Sequence, residues 1–168
     1  MDVILETKRL LIREFIMEDV EDSYQMNLDS EVTRYTNDGG VQNRKEIRHR
    51  IKNHVLGDYK KYGYGRWAVV FKPENKFIGF CGLKYIPELN EVEVGYRFIR
   101  DFWGIGVATE SATPVVKYGF DLLDLDRIIG LVMPENIASI RVLEKLGFAY
   151  EKNIMEDGES IQCYVKTK

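Results

Sequence analysis

The short apolar run Leu10-Leu11-Ile12, followed by Arg13-Glu14 and Phe15, reads as a first strand over Leu10 to Phe15. From Asp19 to Asn27 the period lengthens. Charge gathers on one side and Val20, Tyr24 and Leu28 on the other, which predicts a short helix, and Glu31 to Tyr35 adds a further helical turn. A longer helix is expected over Asn43 to Tyr62, with Ile47, Ile51 and Val55 at spacing four and Asn43 placed as its cap. The pattern then returns to strands: Arg66 to Phe71, a turn at Pro73-Glu74-Asn75-Lys76, Phe77 to Leu83, and the alternating run Glu91 to Phe98. Gly106 to Phe120 reads as a helix and Arg127 to Met133 as a strand rich in branched residues. Asn136 to Leu146 reads as a helix stopped by Gly147. Phe148 to Ile154 and Ile161 to Lys166 flank Asp157-Gly158, a hairpin signal.

The resulting order is β-α-α-β-β-β-α-β-α-β-β, an α+β class with a mixed, mostly antiparallel sheet of about seven strands flanked by helices. The early strands form an antiparallel meander. The strand ending at Phe98, the helix after it and the strand from Arg127 form a parallel crossover. Such a sheet offers a ligand site at the carboxyl end of the first strand of that unit. Without repeats or a Pro/Gly/Ser linker, the whole span 1–168 reads as a single domain.

Composition narrows the function classes. Apolar residues make up 45% of the chain, enough for a sizeable core, and the formal net charge of −3 disfavours a phosphate-binding nucleic-acid partner. No apolar run approaches the ~20 residues that span a bilayer, and the first residues, Met1 to Glu6, do not resemble a secretory signal, so no membrane partner and a cytoplasmic location are expected. Cys81 and Cys163 are far apart and not joined to His49 or His54, so no metal site is expected. Reduced core thiols are favoured, with a single disulfide still open.

Candidate chemistry concentrates where the strand ends at Phe98. The run Ile99-Arg100-Asp101-Phe102-Trp103-Gly104-Ile105-Gly106-Val107-Ala108-Thr109-Glu110 joins a strand to a helix through two glycines. Glycine permits φ > 0 and close approach of a ligand, and the first helical N–H groups lack partners at the positive end of the dipole. That combination suits a pyrophosphate, although a plain strand-to-helix turn explains the same glycines. A P-loop string is absent, and the third glycine of a dinucleotide motif is missing after Gly104-Ile105-Gly106. A second segment, Asn136-Ile137-Ala138-Ser139, puts Asn136 at a helix cap and Ser139 at its third position. Both residues are available to a ligand held by the glycine loop, and capping alone also accounts for them.

Together these segments resemble the GNAT superfamily of N-acetyltransferases, and within it the branch of ribosomal-protein N-terminal acetyltransferases of RimJ/RimL type. The resemblance runs through Thr7-Lys8-Arg9-Leu10-Leu11-Ile12-Arg13, Glu93-Val94-Gly95-Tyr96, Trp103 to Glu110, Asn136 to Ser139 and Glu144-Lys145-Leu146-Gly147-Phe148. It implies transfer of an acetyl group from acetyl-CoA to a primary amine by direct attack, the amine being a protein N-terminus or a small molecule. In the superfamily's coenzyme motif, Gln/Arg-x-x-Gly-x-Gly/Ala, Gly106 and Ala108 match and Trp103 replaces the leading Gln or Arg. The resemblance implies that Trp103, Gly104, Ile105, Gly106, Val107, Ala108 and Thr109 hold the pyrophosphate. Tyr96, Arg97 and Phe98 would bind the pantetheine arm through their backbone, with Asn136 beside it.

Many superfamily members carry a tyrosine acid seven residues after the Asn; this chain has Leu143. The resemblance implies Ser139 as the group facing the leaving thiolate. Glu93 and Glu91 lie on one face of their strand and are the candidate bases, Glu93 first, with water as a further option. Glu110 is expected to serve helix polarity alone. An α-amine needs about 1 to 1.4 kcal/mol to neutralise at pH 7 and a lysine amine about 4.6 kcal/mol, so the acceptor decides how strong a base is required. The helices between Asp19 and Tyr62 and the hairpin near Asp157 are expected to line the acceptor side. A monomer or homodimer is expected. The alternative function is a non-catalytic acyl-CoA sensor or interaction module, kept open by Leu143.

Overall fold

In the computed structural model, residues 2–36 and 43–168 are described; residues 37–42, part of the stretch expected to line the acceptor side, lie outside them. The strands are β1 (Val3–Glu6), β2 (Leu10–Arg13), β3 (Arg66–Phe71), β4 (Lys76–Ile86), β5 (Glu91–Phe98), β6 (Arg127–Val132), β7 (Ala149–Glu156) and β8 (Glu159–Thr167). The helices are α1 (Asp19–Leu28), α2 (Ser30–Thr33), α3 (Arg44–Arg50), α4 (Leu56–Tyr62), α5 (Val107–Asp121) and α6 (Ile137–Lys145).

The strands form one sheet in the order β1-β2-β3-β4-β5-β6-β8-β7. All neighbours are antiparallel except β5 and β6, which are parallel with Glu93 opposite Ile129. The predicted meander and crossover are therefore present. The sheet has one strand more than expected, because β1 pairs along β2 at the edge. Its four residues are too few to show a period, and only the neighbour makes them a strand.

The long helix predicted from Asn43 is capped as expected. The Asn43 side chain accepts from Glu46 N–H at 3.0 Å while Glu46 reaches back to the Asn43 N–H at 2.7 Å, a complete capping box. Its course differs, since Ile51–Val55 is a π-helical segment between α3 and α4. The widened turn shifts the face presented afterwards: Ile47 and Ile51 are buried, but Val55 only partly. The helix closes at Gly63 in the left-handed region, φ 79°.

Two apolar layers sandwich the sheet. On one face α5 and α6 bury Val107, Ala112, Val115 and Leu143 against Leu83, Val92, Val94 and Ile128. On the other, Val20, Met26, Ile47 and Ile51 cover Ala68 and Phe77. At the start of α1, Arg13 and Asp19 form a buried two-pronged ion pair, both contacts 2.7 Å, and Asp19 also accepts from Ile16 N–H. Because its lone pairs are satisfied, the pair is tolerated inside the protein and joins β2 to α1. Cys81 and Cys163 are both buried free thiols. Among the described residues no helix is long and apolar enough to cross a membrane, and no group of three or more metal-ligating side chains occurs.

Candidate active site

β5 is the spine of the site. Its pairing with β4 runs the full length, from Glu91 opposite Ile86 to Phe98 opposite Gly79. Toward β6 the register is carried at Glu93 opposite Ile129 alone, so Gly95 to Phe98 have no register partner on β6, and this unpaired stretch of β5 is the candidate wedge for a ligand. Backbone N–H and C=O groups at such a place need a partner from outside the sheet.

The glycine-containing loop sits at the open end of the wedge. Phe102 is 6% exposed and packs edge-on to Phe71 with ring centroids 5.0 Å apart, which pins the loop to the core. The Trp103 indole N–H donates to the Phe98 carbonyl at 2.8 Å, so that carbonyl is already engaged, while the Trp103 ring stands 46% exposed. Arg100 pairs with Asp29 ahead of α2. Gly104 and Gly106 both have positive φ, 73° and 84°, and Gly106 is the residue before α5. A Cβ on Gly104 would meet no atom within 4 Å. Both glycines are thus favoured by backbone conformation, and Gly104 leaves open space outside the loop, whereas a Cβ on Gly106 would lie 3.6 Å from Arg9 Nη2. The amides of Val107, Ala108 and Thr109 form the first turn of α5, where N–H groups lack intrahelical acceptors.

Opposite the loop, Asn136 caps α6 and its side-chain oxygen accepts from Ser139 N–H at 3.3 Å. Ser139 meets β5 directly: the Tyr96 hydroxyl lies 2.9 Å from Ser139 Oγ and 3.2 Å from the Ser139 carbonyl. Burial pushes the Tyr96 phenol up, only partly offset by the Ser139 contact. Ser139 thus contacts both Asn136 and Tyr96, and the Tyr96 side-chain contact goes beyond the backbone role that the resemblance implied.

Glu93 lies elsewhere. Residues 92, 94 and 96 of β5 face α5 and α6, and Glu93 faces the opposite side of the sheet. There Arg66 Nη2 donates to Glu93 Oε2 at 2.9 Å, and Arg66 Nη1 donates to the Gly82 and Glu93 carbonyls at 2.8 and 3.1 Å. Gly95 makes room for this guanidinium, since a Cβ there would fall 2.4 Å from Arg66 Nη2. Glu91 is engaged by Arg127, Nε to Oε1 2.7 Å, and Arg127 also grips Glu151. The Arg97 side chain turns to α1 and donates to Asn27 at 2.5 Å.

Three features escaped the sequence. Thr7 and Arg9 hold Glu110, with Thr7 Oγ1 2.6 Å and Arg9 N 2.9 Å from Oε1, and Arg9 Nε 2.7 Å from Oε2. Arg9 Nη2 also donates to the Ile105 carbonyl at 2.8 Å, so Glu110 anchors the loop and does more than balance the helix dipole. Asp58 on α4 is half-buried, makes no ion pair among the described residues, and has its carboxyl pushed up by desolvation. Leu143 is 2% exposed with its methyls against Gly130, so the position at which the resemblance implied a tyrosine acid belongs to this protein's core.

Comparison with known proteins identifies the family and the fold. Residues 9–149 match the family model described as the acetyltransferase (GNAT) domain. An uncharacterized N-acetyltransferase, p20, of Bacillus licheniformis is 35% identical over 149 residues, covering 88% of this chain and 83% of that protein. The crystal structure of a GNAT-family acetyltransferase from Bacillus anthracis superposes with a TM-score of 0.82 at 30% identity, over 97% of both chains. A RimL ribosomal L7/L12 α-N-protein acetyltransferase in complex with coenzyme A shares the fold, with a TM-score of 0.83 at 17% identity over 99% of this chain and 98% of that one. The chain belongs to the GNAT acetyltransferase family, whose general activity is acetyl-CoA-dependent acetyl transfer to an amine.

Proposed function

We propose that this protein transfers an acetyl group from acetyl-CoA to a primary amine, a protein N-terminal α-amine or a small-molecule amine, by direct attack on the thioester. The observation that carries the reading is the wedge beyond Glu93, with the Gly104–Gly106 loop and the start of α5 at its mouth and the Asn136–Ser139 turn along one wall. These residues fit the coenzyme: the helix start and left-handed glycines suit a pyrophosphate, and the unpaired edge of Gly95 to Phe98 suits an amide-bearing arm. Trp103, Gly104, Ile105, Gly106, Val107, Ala108 and Thr109 would hold the phosphates. Tyr96 and Arg97 would hold the arm through their backbone, with Asn136 beside it and the engaged Phe98 carbonyl contributing less. The coenzyme supplies the activated thioester.

The protein's part is to orient the acetyl group, accept a proton from the amine and stabilise the departing sulfur. Glu93 is the base in this reading, through the oxygen that Arg66 does not engage. Glu91 is the weaker candidate, because Arg127 and Glu151 already enclose it in a surface network. Ser139 faces the thiolate as a hydrogen-bond donor. The acceptor enters on the face that carries Arg66, Glu93 and α4, in the cytoplasm, with the protein acting as a monomer or homodimer.

Thermal unfolding with acetyl-CoA, NADH and ATP tests the coenzyme site. At about 100 times its Kd a ligand stabilises by about 2.7 kcal/mol, a shift of several degrees. A shift with acetyl-CoA alone, followed by turnover of a member of an amine panel, is the expected result. Absence of any shift at saturation would overturn the loop assignment, and binding without turnover of any amine would favour a sensor.

A further inference from the structure

Leu143 on α6 is buried against Gly130 and offers no proton donor. A phenol nevertheless reaches the first turn of α6 from the facing strand, where the Tyr96 hydroxyl lies 2.9 Å from Ser139 Oγ and 3.2 Å from the Ser139 carbonyl. We propose that Tyr96 is a positioning residue for the acetyl-transfer step, acting through Ser139 by directing the serine hydroxyl at the departing sulfur; this rests on the role given to Ser139 above.

The argument is an inventory of protons. The two hydroxyls carry one proton each, and the phenol has two acceptors within reach, Ser139 Oγ and the Ser139 carbonyl. When the phenol donates to the carbonyl, the serine proton is drawn back toward the phenol oxygen. When the phenol donates to Oγ, the serine proton is released from the pair and free to point into the wedge. Charge on sulfur favours the second arrangement, because it gives the serine proton an anionic acceptor and the serine oxygen a donor. Burial disfavours phenolate, so Tyr96 keeps its proton and serves as a fixed donor.

The step balances without a net loss from either hydroxyl. The amine nitrogen forms the new bond to the acetyl carbon, the carbon–sulfur bond breaks, and its electron pair stays on sulfur. The proton lost by the amine passes to the base, and sulfur is later protonated by exchange. Ser139 and Tyr96 donate hydrogen bonds throughout. Without the phenol oxygen, the Ser139 hydroxyl is free to turn back onto the helix backbone, as serines in helices do.

The test is a double-mutant cycle of Tyr96→Phe and Ser139→Ala, with steady-state kinetics on an amine found by the panel and thermal unfolding to confirm folding. Tyr96→Phe is expected to lower kcat about tenfold, with KM for acetyl-CoA within about twofold of the parent. In the Ser139→Ala background the same change should add little, because the group it positions is gone. Additive losses, a loss confined to KM, or unchanged kcat in Tyr96→Phe beside a large loss in Ser139→Ala would overturn the inference while leaving the role of Ser139 standing. Unchanged kcat in Ser139→Ala would remove that role and this inference with it.

Discussion

Arg9 and Glu110, 101 residues apart in the chain, meet at the base of the glycine loop with Arg9 Nε 2.7 Å from Glu110 Oε2. The same guanidinium holds the Ile105 carbonyl, so one arginine links the edge of the sheet, the loop and the first turn of α5. Glu110→Gln should weaken acetyl-CoA binding about fivefold, the equivalent of one net hydrogen bond of about 1 kcal/mol, while kcat at saturation changes little. Calorimetric titration of the variant against the parent checks this.

The same contact predicts an acid limb. Desolvation pushes the Glu110 carboxyl up, but the hydrogen bonds from Thr7 and from the Arg9 backbone and side chain outweigh it and hold the group below its ordinary value. A depressed carboxylate contributes stability that is present above its unfolded value of about 4.3 and lost as pH falls through the lower folded value. Parent and Glu110→Gln should therefore differ most in Tm near neutrality and converge in acid. A gap independent of pH would show that the charge is not what matters.

Gly95→Ala places a methyl 2.4 Å from Arg66 Nη2, and the guanidinium must leave its three acceptors to accommodate it. Losing that half-buried network should cost about 1 to 3 kcal/mol and release Glu93 from its partner. The expected signature is a lowered Tm together with a displaced pH profile of kcat. A stability loss with the profile intact would speak against Glu93 as the base.

Leu143→Tyr tests whether the missing phenol can be restored on the helix. The side chain at 143 is 2% exposed and lies against Gly130, so the larger ring is forced into packed core. Overpacking should destabilise by about 1 to 3 kcal/mol with no gain in kcat. A stable variant with raised turnover would show that the position opens toward the site.

Asp58→Asn should stabilise the protein at neutral pH. Desolvation raises the Asp58 carboxyl, incompletely opposed by Lys84, His54, Arg66 and Lys61. A raised acid favours the fold below its unfolded value of about 3.9, an advantage lost as pH rises through the folded value. The variant's Tm should exceed the parent's at pH 7 and approach it near pH 3. Equal values at both would mean that the carboxylate finds a compensating partner in solution.

Much of this protein was legible from residue order. The period changes located all but one strand, the Asn43 and Asn136 caps lie where a side-chain oxygen precedes a helical run, and Gly104 and Gly106 mark a turn whose φ values only glycine takes comfortably. These features depend on a few neighbouring residues, so a local pattern carries them. The rest was decided by strand register and packing. β1 is a strand because β2 lies beside it, and the π turn at Ile51–Val55 shifts a face that the spacing alone would have kept constant. Glu93 was recognisable as a strand carboxylate, but its partner Arg66 is 27 residues away and is reached only because Gly95 clears a path. Leu143 read as a missing acid until the core claimed it, and Tyr96 read as backbone until its hydroxyl met Ser139 43 residues later. A side chain's chemical role is set by what stands within about 3 Å of its polar atoms, and for these residues the neighbours come from distant segments that only the folded sheet brings together.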